Sequence, residues 1–288
     1  MGTLGRPLSP GSINREIPDL RKRDSCIKGI VRGYDRMEGY LDAERAQKQH
    51  YDAIASRYSA HYGDTWSQTY RRTFINEPML KNLNLSGAKI IDAMCGSGET
   101  TAYLLEKGAQ VTGLDISHVE IEQFQKRFPS CEARCASILS TGLESNFYDC
   151  VVVVGGLHHL HPHVPAAIHE IYRVLKIGGY FCFMEPHKGS FPDRVRRLWY
   201  RCDSLFKENE AAVDLEVLKG TFSSKFEFVK EEYKGNVAYL LVLNSLVFRI
   251  PLRLKRIYSH PLIWIESMVE HIQGKLSSCF VICQWKKI

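Results

Sequence analysis

The stretch of sequence that decides the fold is Lys89–Ser117, which reads KIIDAMCGSGETTAYLLEKGAQVTGLDIS. Its β-branched start predicts a buried strand that ends at Asp92. The glycines that follow predict a sharp turn, because glycine adopts positive φ and lets a ligand approach the backbone. Apolar spacing then predicts a helix over Thr100–Lys107, and a second strand, Gln110–Leu114, leads to Asp115. We therefore predict one nucleoside-binding half of a doubly wound α/β sheet, in which Asp115 accepts hydrogen bonds from a ribose diol.

The turn after the first strand does not fit a dinucleotide. The dinucleotide fingerprint needs a third glycine where Thr101 stands, and the acid Asp92 suits a cationic ligand better than a pyrophosphate. Asp92–Gly98 instead resembles the class I S-adenosylmethionine-dependent methyltransferases. Their usual pattern is acidic-x-Gly-x-Gly-x-Gly, followed by an acid at the end of the next strand. Met94 stands in place of the first glycine. The resemblance implies that the cofactor is S-adenosylmethionine.

Further segments extend the resemblance. The apolar run within Tyr148–Val154 predicts a fully buried fourth strand. Glu170–Gly179 resembles the helix and turn that precede the family's fifth strand, which is predicted here over Tyr180–Met184. Tyr51–Tyr58 resembles the helix that many small-molecule members lay across the cofactor. The resemblance implies a doubly wound, seven-stranded and mainly parallel α/β sheet.

The chain divides into two regions. Residues 1–38 are polar and predict a tail or a loosely attached helix. Residues 39–288 are predicted to form the methyltransferase domain, with its last two strands over Lys225–Glu232 and Ser277–Trp285.

Two segments near the late strands are longer than simple crossovers require. We predict helical cap insertions at about 186–222 and 236–274, lying over the carboxyl ends of the strands, where open α/β sheets bind ligands. Both segments are rich in aromatic residues and leucine, so the cap is expected to cover a largely apolar substrate pocket. Packing as ordinary core, or a homodimer contact, is the alternative.

Composition favours a cytoplasmic enzyme. Of 288 residues, 44% are hydrophobic, and the nine cysteines form no C-x-x-C pair, which is typical of free thiols in a reducing compartment. We find no signal peptide, and the longest apolar run, Val237–Phe248, is too short to span a bilayer.

The net charge of +6 is unevenly distributed. Residues 1–37 are rich in lysine and arginine, and Arg249, Arg253, Lys255 and Arg256 form a second basic cluster. Such clusters attract nucleic acid, an anionic membrane or a phosphorylated substrate. A solvated basic face is the plain alternative, so peripheral membrane contact stays one of several hypotheses.

The resemblance implies a set of cofactor contacts. An acid that ends the second strand would hold the ribose, the turn would meet the methionine part, and residues after the third and fourth strands would contact adenine and methionine. The expected cofactor-binding residues are Tyr58, Asp92, Cys95, Gly96, Gly98, Asp115, Ile116, Ser137, Ile138, Gly156 and Leu157.

Histidines crowd the exit of the fourth strand, near the expected methyl group. An imidazole is a suitable base at neutral pH, and His161 is our first candidate for the proton acceptor. His158, Glu185 and His187 are the other candidates, although His158 lies in a Leu-His-His-Leu phrase that suits a structural turn. No metal is predicted, because the histidines here lack metal-ligand spacing.

The expected acceptor is a small molecule, with O- or C-methylation favoured over N-methylation. Gly155–His158 stands where nucleobase amino-methylating relatives place an Asn/Asp-Pro-Pro-aromatic phrase, so we do not expect a nucleic-acid partner. The pattern is similar to quinone-biosynthesis and natural-product methyltransferases. A nicotinamide-dependent oxidoreductase and a non-catalytic cofactor-binding scaffold remain the alternative functions.

Overall fold

The computed structural model of the chain describes residues 61–200 and 211–288. Within them lies a seven-stranded sheet with the order β3-β2-β1-β4-β5-β7-β6. Strands β1 to β5 are parallel, and β7 runs antiparallel to its neighbours β5 and β6. The strands are β1 (Lys89–Ala93), β2 (Gln110–Asp115), β3 (Glu132–Cys135), β4 (Tyr148–Val154), β5 (Leu175–Pro186), β6 (Phe226–Lys234) and β7 (Phe280–Lys287). The predicted fold class is confirmed.

Helices connect the strands and cover both faces of the sheet. The α-helices are α1 (Thr65–Arg71), α2 (Glu77–Leu80), α3 (Thr101–Glu106), α4 (His118–Arg127), α5 (Val164–Val174), α6 (Phe191–Tyr200), α7 (Leu215–Phe222) and α8 (Leu252–Val269). Two π-helical turns, Arg72–Asn76 and Tyr239–Leu243, and two 3₁₀ turns, Leu157–His159 and Glu270–Ile272, complete them. Helix α5 begins earlier than its apolar pattern indicates, because a proline fits its first turn.

The predicted turn before the fifth strand lies inside β5 as an irregularity. Tyr148 pairs with Leu175, but Cys150 pairs with Tyr180, so extra residues of β5 bulge out between these two pairs. Gly178 has φ +79° in this bulge, a conformation that glycine adopts without a steric penalty.

Strand β7 is buried on both faces and divides the core into two layers. Val281, Cys283 and Trp285 join the layer that contains α5 and α7. Phe280 and Ile282 join the layer that contains α1 and the Tyr239–Leu243 turn. Alternate residues of the last strand therefore pack into two different buried layers.

Both predicted insertions start at the carboxyl edge of the parallel sheet. Phe280, at the start of β7, pairs with Pro186 at the end of β5 and with Lys234 at the end of β6. The chain between β6 and β7 therefore leaves and re-enters the sheet at that edge. Phe191 N, in the first insertion, donates to Leu276 O at 2.8 Å, just after the end of the second insertion.

Part of the second insertion packs as ordinary core. In the apolar run Val237–Phe248, Ala238, Val242 and Leu243 are buried against α1. This part of the insertion is core, whereas the covering of a substrate pocket stays a prediction.

None of the helices described in residues 61–200 and 211–288 is long and apolar enough to cross a membrane. The predicted tail over residues 1–38 and the helix over Tyr51–Tyr58 lie outside the described residues.

Candidate active site

The turn between β1 and α3 is built from left-handed backbone. Met94, Gly96 and Gly98 have φ values of 56°, 53° and 90°. Gly98 is required by space as well, since a Cβ there would lie 2.4 Å from the ring of Phe128. The left-handed backbone of Met94 is unfavourable for a residue that has a side chain. The backbone therefore keeps the family's turn even though Met94 replaces the first glycine of the pattern.

Asp115 ties this turn to the end of β2. Gly96 N donates to Oδ2 of Asp115 at 2.9 Å, and Ser117 N donates to Oδ1 at 2.9 Å. Burial raises the pKa of Asp115, and the backbone hydrogen bonds oppose that shift. Each carboxylate oxygen can accept more than one hydrogen bond, so the arrangement suits a ribose diol.

Asp92 is a buried carboxyl under the turn. Thr101 Oγ1 donates to its Oδ2 at 2.6 Å, which gives a role to the residue that stands in place of a third glycine. Burial raises the pKa of Asp92 to about 7, although this hydrogen bond and the charge of Arg71 act to lower it.

Two further acids, missed by the sequence reasoning, surround the turn. Glu99 is buried and accepts a hydrogen bond from Ser97 Oγ at 2.8 Å. Carboxylate oxygens of Glu99 and Glu120 lie 3.4 and 3.8 Å from where a Cβ on Gly96 would be. In the sequence, Glu120 follows Ser117 with the spacing of a helix-capping pair. That spacing indicates a helix start and does not indicate that Glu120 lies beside the turn. The surplus of acids favours a cationic ligand.

Arg71 is a buried cation that the sequence reasoning also missed. Its side chain is 6% exposed at the end of α1, and its guanidinium lies over the Tyr62 ring, 5.6 Å from the centroid. Among the described residues its Nε has no hydrogen-bond partner. Its charge acts to lower the pKa of Asp92, which makes Arg71 a candidate partner for an anionic group of a ligand at the turn.

The exit of β4 is organised around the carboxylate of Glu185. Gly156 N and Leu157 N donate to its Oε1 at 2.7 and 2.6 Å, and His158 N donates to Oε2 at 3.2 Å. The Nδ1 of His158 lies 2.8 Å from the same Oε2. Glu185 is fully buried, and burial raises its pKa to about 7. The carboxylate fixes both the backbone of this turn and the His158 ring.

His161 differs from its neighbours. Its Nε2 is buried with no hydrogen-bond partner in the part of the chain that the structure describes. Burial lowers the pKa of His161, against opposing effects of the Ala211 backbone and of Glu185. The ring is therefore neutral at neutral pH, the form that accepts a proton.

His187 has different surroundings. It is buried, its Nε2 lies 3.2 Å from Ser278 O, and its ring packs 4.7 Å from that of Tyr233. Burial lowers the pKa of His187. The structure thus brings His158 and Glu185 together. His187 instead contacts residues at the start of β7 and in β6.

The remaining predicted residues lie around the turn. Ala136 N donates to Asp115 O at 2.9 Å, which places the following residues, Ser137 and Ile138, beside the end of β2. Burial raises the pKa of Cys95 well above its usual value, which disfavours the reactive thiolate form. Ile116 follows Asp115 directly, and Tyr58 lies outside the described residues. Within 61–200 and 211–288, no group of three or more side chains is arranged to hold a metal ion.

Comparison with known proteins finds methyltransferases similar to part of this chain. A family model described as a methyltransferase domain matches residues 91–183. A phthiotriol/phenolphthiotriol dimycocerosates methyltransferase from Mycobacterium leprae is 31% identical over 149 residues, 49% of this chain and 53% of that protein. A ubiquinone/menaquinone biosynthesis C-methyltransferase from Bartonella bacilliformis is 27% identical over 189 residues, 59% of this chain and 72% of that protein. This chain spans about half the length of several curated relatives that it matches.

Solved structures agree on the fold. The magnesium protoporphyrin IX methyltransferase of Synechocystis PCC 6803, with bound S-adenosylhomocysteine, is similar with a TM-score of 0.58. The match covers 85% of this chain and 100% of that one at 13% identity, which shows the fold alone. Together, the sheet order, the glycine turn and the match over residues 91–183 make this chain similar to class I S-adenosylmethionine-dependent methyltransferases.

Proposed function

We propose that this chain transfers the methyl group of S-adenosylmethionine to a small, largely apolar acceptor, with O- or C-methylation favoured over N-methylation. The observation that carries the proposal is the turn at the ends of β1 and β2, where Gly96 N donates to Asp115 at 2.9 Å and buried acids surround the loop. When bound there, the cofactor supplies an electrophilic methyl group on a sulfonium.

The residues of the turn fit this cationic cofactor. Asp115 would accept hydrogen bonds from the ribose hydroxyls. Asp92 and Glu99, both buried, would favour the positive charges of the sulfonium and the amino group, because charges interact strongly where water is excluded. Arg71 would pair with the carboxylate of the methionine part. The chain's task is then to align the acceptor with the methyl group and to exclude water.

His161 is the proposed proton acceptor. It is neutral at neutral pH because burial lowers its pKa, and its buried Nε2 has no partner within the described residues. His158 and Glu185 would act as positioning residues, because their hydrogen bonds hold the turn that carries His161.

The relatives' names support the acceptor class. One acts in quinone biosynthesis as a C-methyltransferase, and another methylates phthiotriol-type dimycocerosates. Both kinds of acceptor are largely apolar, which agrees with an apolar acceptor and with methylation of carbon or oxygen.

The acceptor can be identified by incubating cell extract with the chain and methyl-deuterated S-adenosylmethionine. Mass spectrometry should find a compound that gains one deuterated methyl group only in the presence of the enzyme. Absence of any labelled compound across several extracts, with a folded chain, would contradict the proposal.

With that acceptor, His161→Asn should lower turnover by about 10²–10⁴-fold, the usual contribution of a general base, while cofactor affinity persists. His163→Asn, in the same turn, is the matched control and should retain turnover. Near-normal turnover of His161→Asn would assign His161 a structural role and direct attention to Glu185 and His187.

A further inference from the structure

Helix α8 has an inverted distribution of polar and apolar side chains. Its buried residues are all polar: Lys255, Ser259 and Glu266. The opposite side carries Ile257, Trp264 and Met268, which are 75%, 58% and 59% exposed. At 3.6 residues per turn these three side chains project within about 40° of one another. The helix therefore turns an apolar stripe toward solvent.

The buried polar contacts fix this orientation. Lys255 Nζ donates to Ser67 Oγ at 2.6 Å and pairs with Asp64 at the start of α1. Glu266 accepts a hydrogen bond from Tyr70 OH at 2.8 Å. Rotating α8 to bury its apolar stripe would break both contacts and leave charges buried without partners, which is strongly unfavourable. The stripe is thus a stable feature of the surface.

More exposed apolar side chains lie in the segment that follows α8 and in α6. Ile272 and Leu276, which follow α8, are 83% and 74% exposed. Phe191 of α6, whose backbone N donates to Leu276 O, is 70% exposed. Monomeric soluble proteins rarely expose contiguous apolar patches of this kind without a partner.

The charge around the stripe is positive. Arg249, Arg253 and Arg256 are exposed at the start of the segment. Of the acids between 235 and 279, Glu266 is buried and Glu270 forms an ion pair with Lys234 at 2.6 Å. The partner of this face should therefore combine an apolar region with negative charge.

We propose that the exposed face of α8 docks on an anionic lipid bilayer. A bilayer offers apolar chains beneath negative headgroups, and helices with basic residues and an exposed tryptophan lie in that interface. A second copy fits less well, because a two-fold contact would bring the same arginines together without acids.

The test measures binding of the full chain to vesicles, independently of methyl transfer. Co-sedimentation should occur with phosphatidylcholine vesicles that contain phosphatidylglycerol, and much less with phosphatidylcholine alone. Arg253→Gln with Arg256→Gln should weaken binding about 30-fold, at about 1 kcal/mol for each arginine near the surface. Lys81→Gln with Lys126→Gln removes the same charge from exposed positions on other elements and should change binding by less than about twofold.

The apolar part is tested separately. Ile257→Ser combined with Met268→Ser should reduce binding, whereas Val217→Ser with Val229→Ser, exposed positions on α7 and β6, should not. On binding, the fluorescence of Trp264 should shift to the blue and be quenched by brominated lipid, and Trp264→Phe should lose this signal.

Three results would overturn the proposal. The first is no co-sedimentation with anionic vesicles. The second is undiminished binding of the double arginine variant, which would assign binding to another basic segment. The third is a dimer in sedimentation velocity that the Ile257→Ser, Met268→Ser variant disperses, which would assign the face to a second copy.

Discussion

The burial of Asp92 lowers the stability of the folded protein at neutral pH. Burial raises its pKa from 3.8 to about 7. Between about pH 4 and pH 7 the unfolded chain therefore ionises this carboxyl while the folded chain keeps its proton, so stability falls as pH rises. Above about 7 the folded protein holds a buried negative charge, which is the form that suits a cationic cofactor.

Replacing Asp92 by Asn should therefore stabilise the cofactor-free protein at pH 8 by about 1–3 kcal/mol and change it little at pH 4. The same change should weaken S-adenosylmethionine, because the negative charge is lost. Thermal unfolding at both pH values and calorimetric titration measure the two effects. The stability of Asp92→Asn relative to wild type is the quantity to compare at the two pH values. If it were lower at pH 8 than at pH 4, the raised pKa of Asp92 would be contradicted.

Met94 and Gly156 should be energetically coupled. A Cβ on Gly156 would lie 2.6 Å from the Sδ of Met94. We expect Gly156→Ala to destabilise the wild-type protein by about 1–3 kcal/mol through overpacking, and to be better tolerated in a Met94→Gly background. Urea unfolding of the two single variants and the double variant gives the coupling energy. Additive effects would mean that the two positions do not share this space.

Sequence patterns predicted Asp92, Asp115 and Glu185 because each stands at the end of a strand, where topology places the site. Arg71, Glu99 and Glu120 were missed for a physical reason. Each is a charged residue in or beside a helix, and such residues are normally solvated, so only the tertiary packing shows that they are buried around the turn.

At the scale of elements, α8 shows that basic residues of one sequence cluster can have different surroundings. The four basic residues Arg249, Arg253, Lys255 and Arg256 look alike in sequence, but Lys255 is buried and paired with Asp64. Helical periodicity places Lys255 on a different side of α8 from its basic neighbours. Because the buried side of this helix is polar, however, no apolar pattern in the sequence indicates which side packs inward.

Lys255→Met should therefore lower the free energy of unfolding by about 1–3 kcal/mol, the scale of losing hydrogen bonds to charged groups. Arg253→Met, on the exposed side of the same helix, should stay within about 0.5 kcal/mol of wild type. Urea unfolding compares them directly. Equal effects of the two substitutions would show that the contact between α8 and α1 does not contribute as described.

At the scale of the molecule, the fold could be predicted because several strands are apolar runs, which is the pattern of a sheet buried on both faces. The long insertions were predictable in place because they connect late strands at one edge. The packing of the insertions could not be predicted, since Val237–Phe248 could have covered a pocket or filled the core. In the structure, Ala238 and Val242 of this run pack in the core with α1.

The central claim is that the turn at the ends of β1 and β2 binds S-adenosylmethionine through Asp115. The most direct measurement is calorimetric titration of wild type and Asp115→Ala with S-adenosylmethionine and with NAD, with circular dichroism as the check on folding. Wild type should bind S-adenosylmethionine and not NAD, and Asp115→Ala should lose about 1–3 kcal/mol of binding free energy. Unchanged affinity in a folded Asp115→Ala protein, or binding of NAD in preference, would contradict the account.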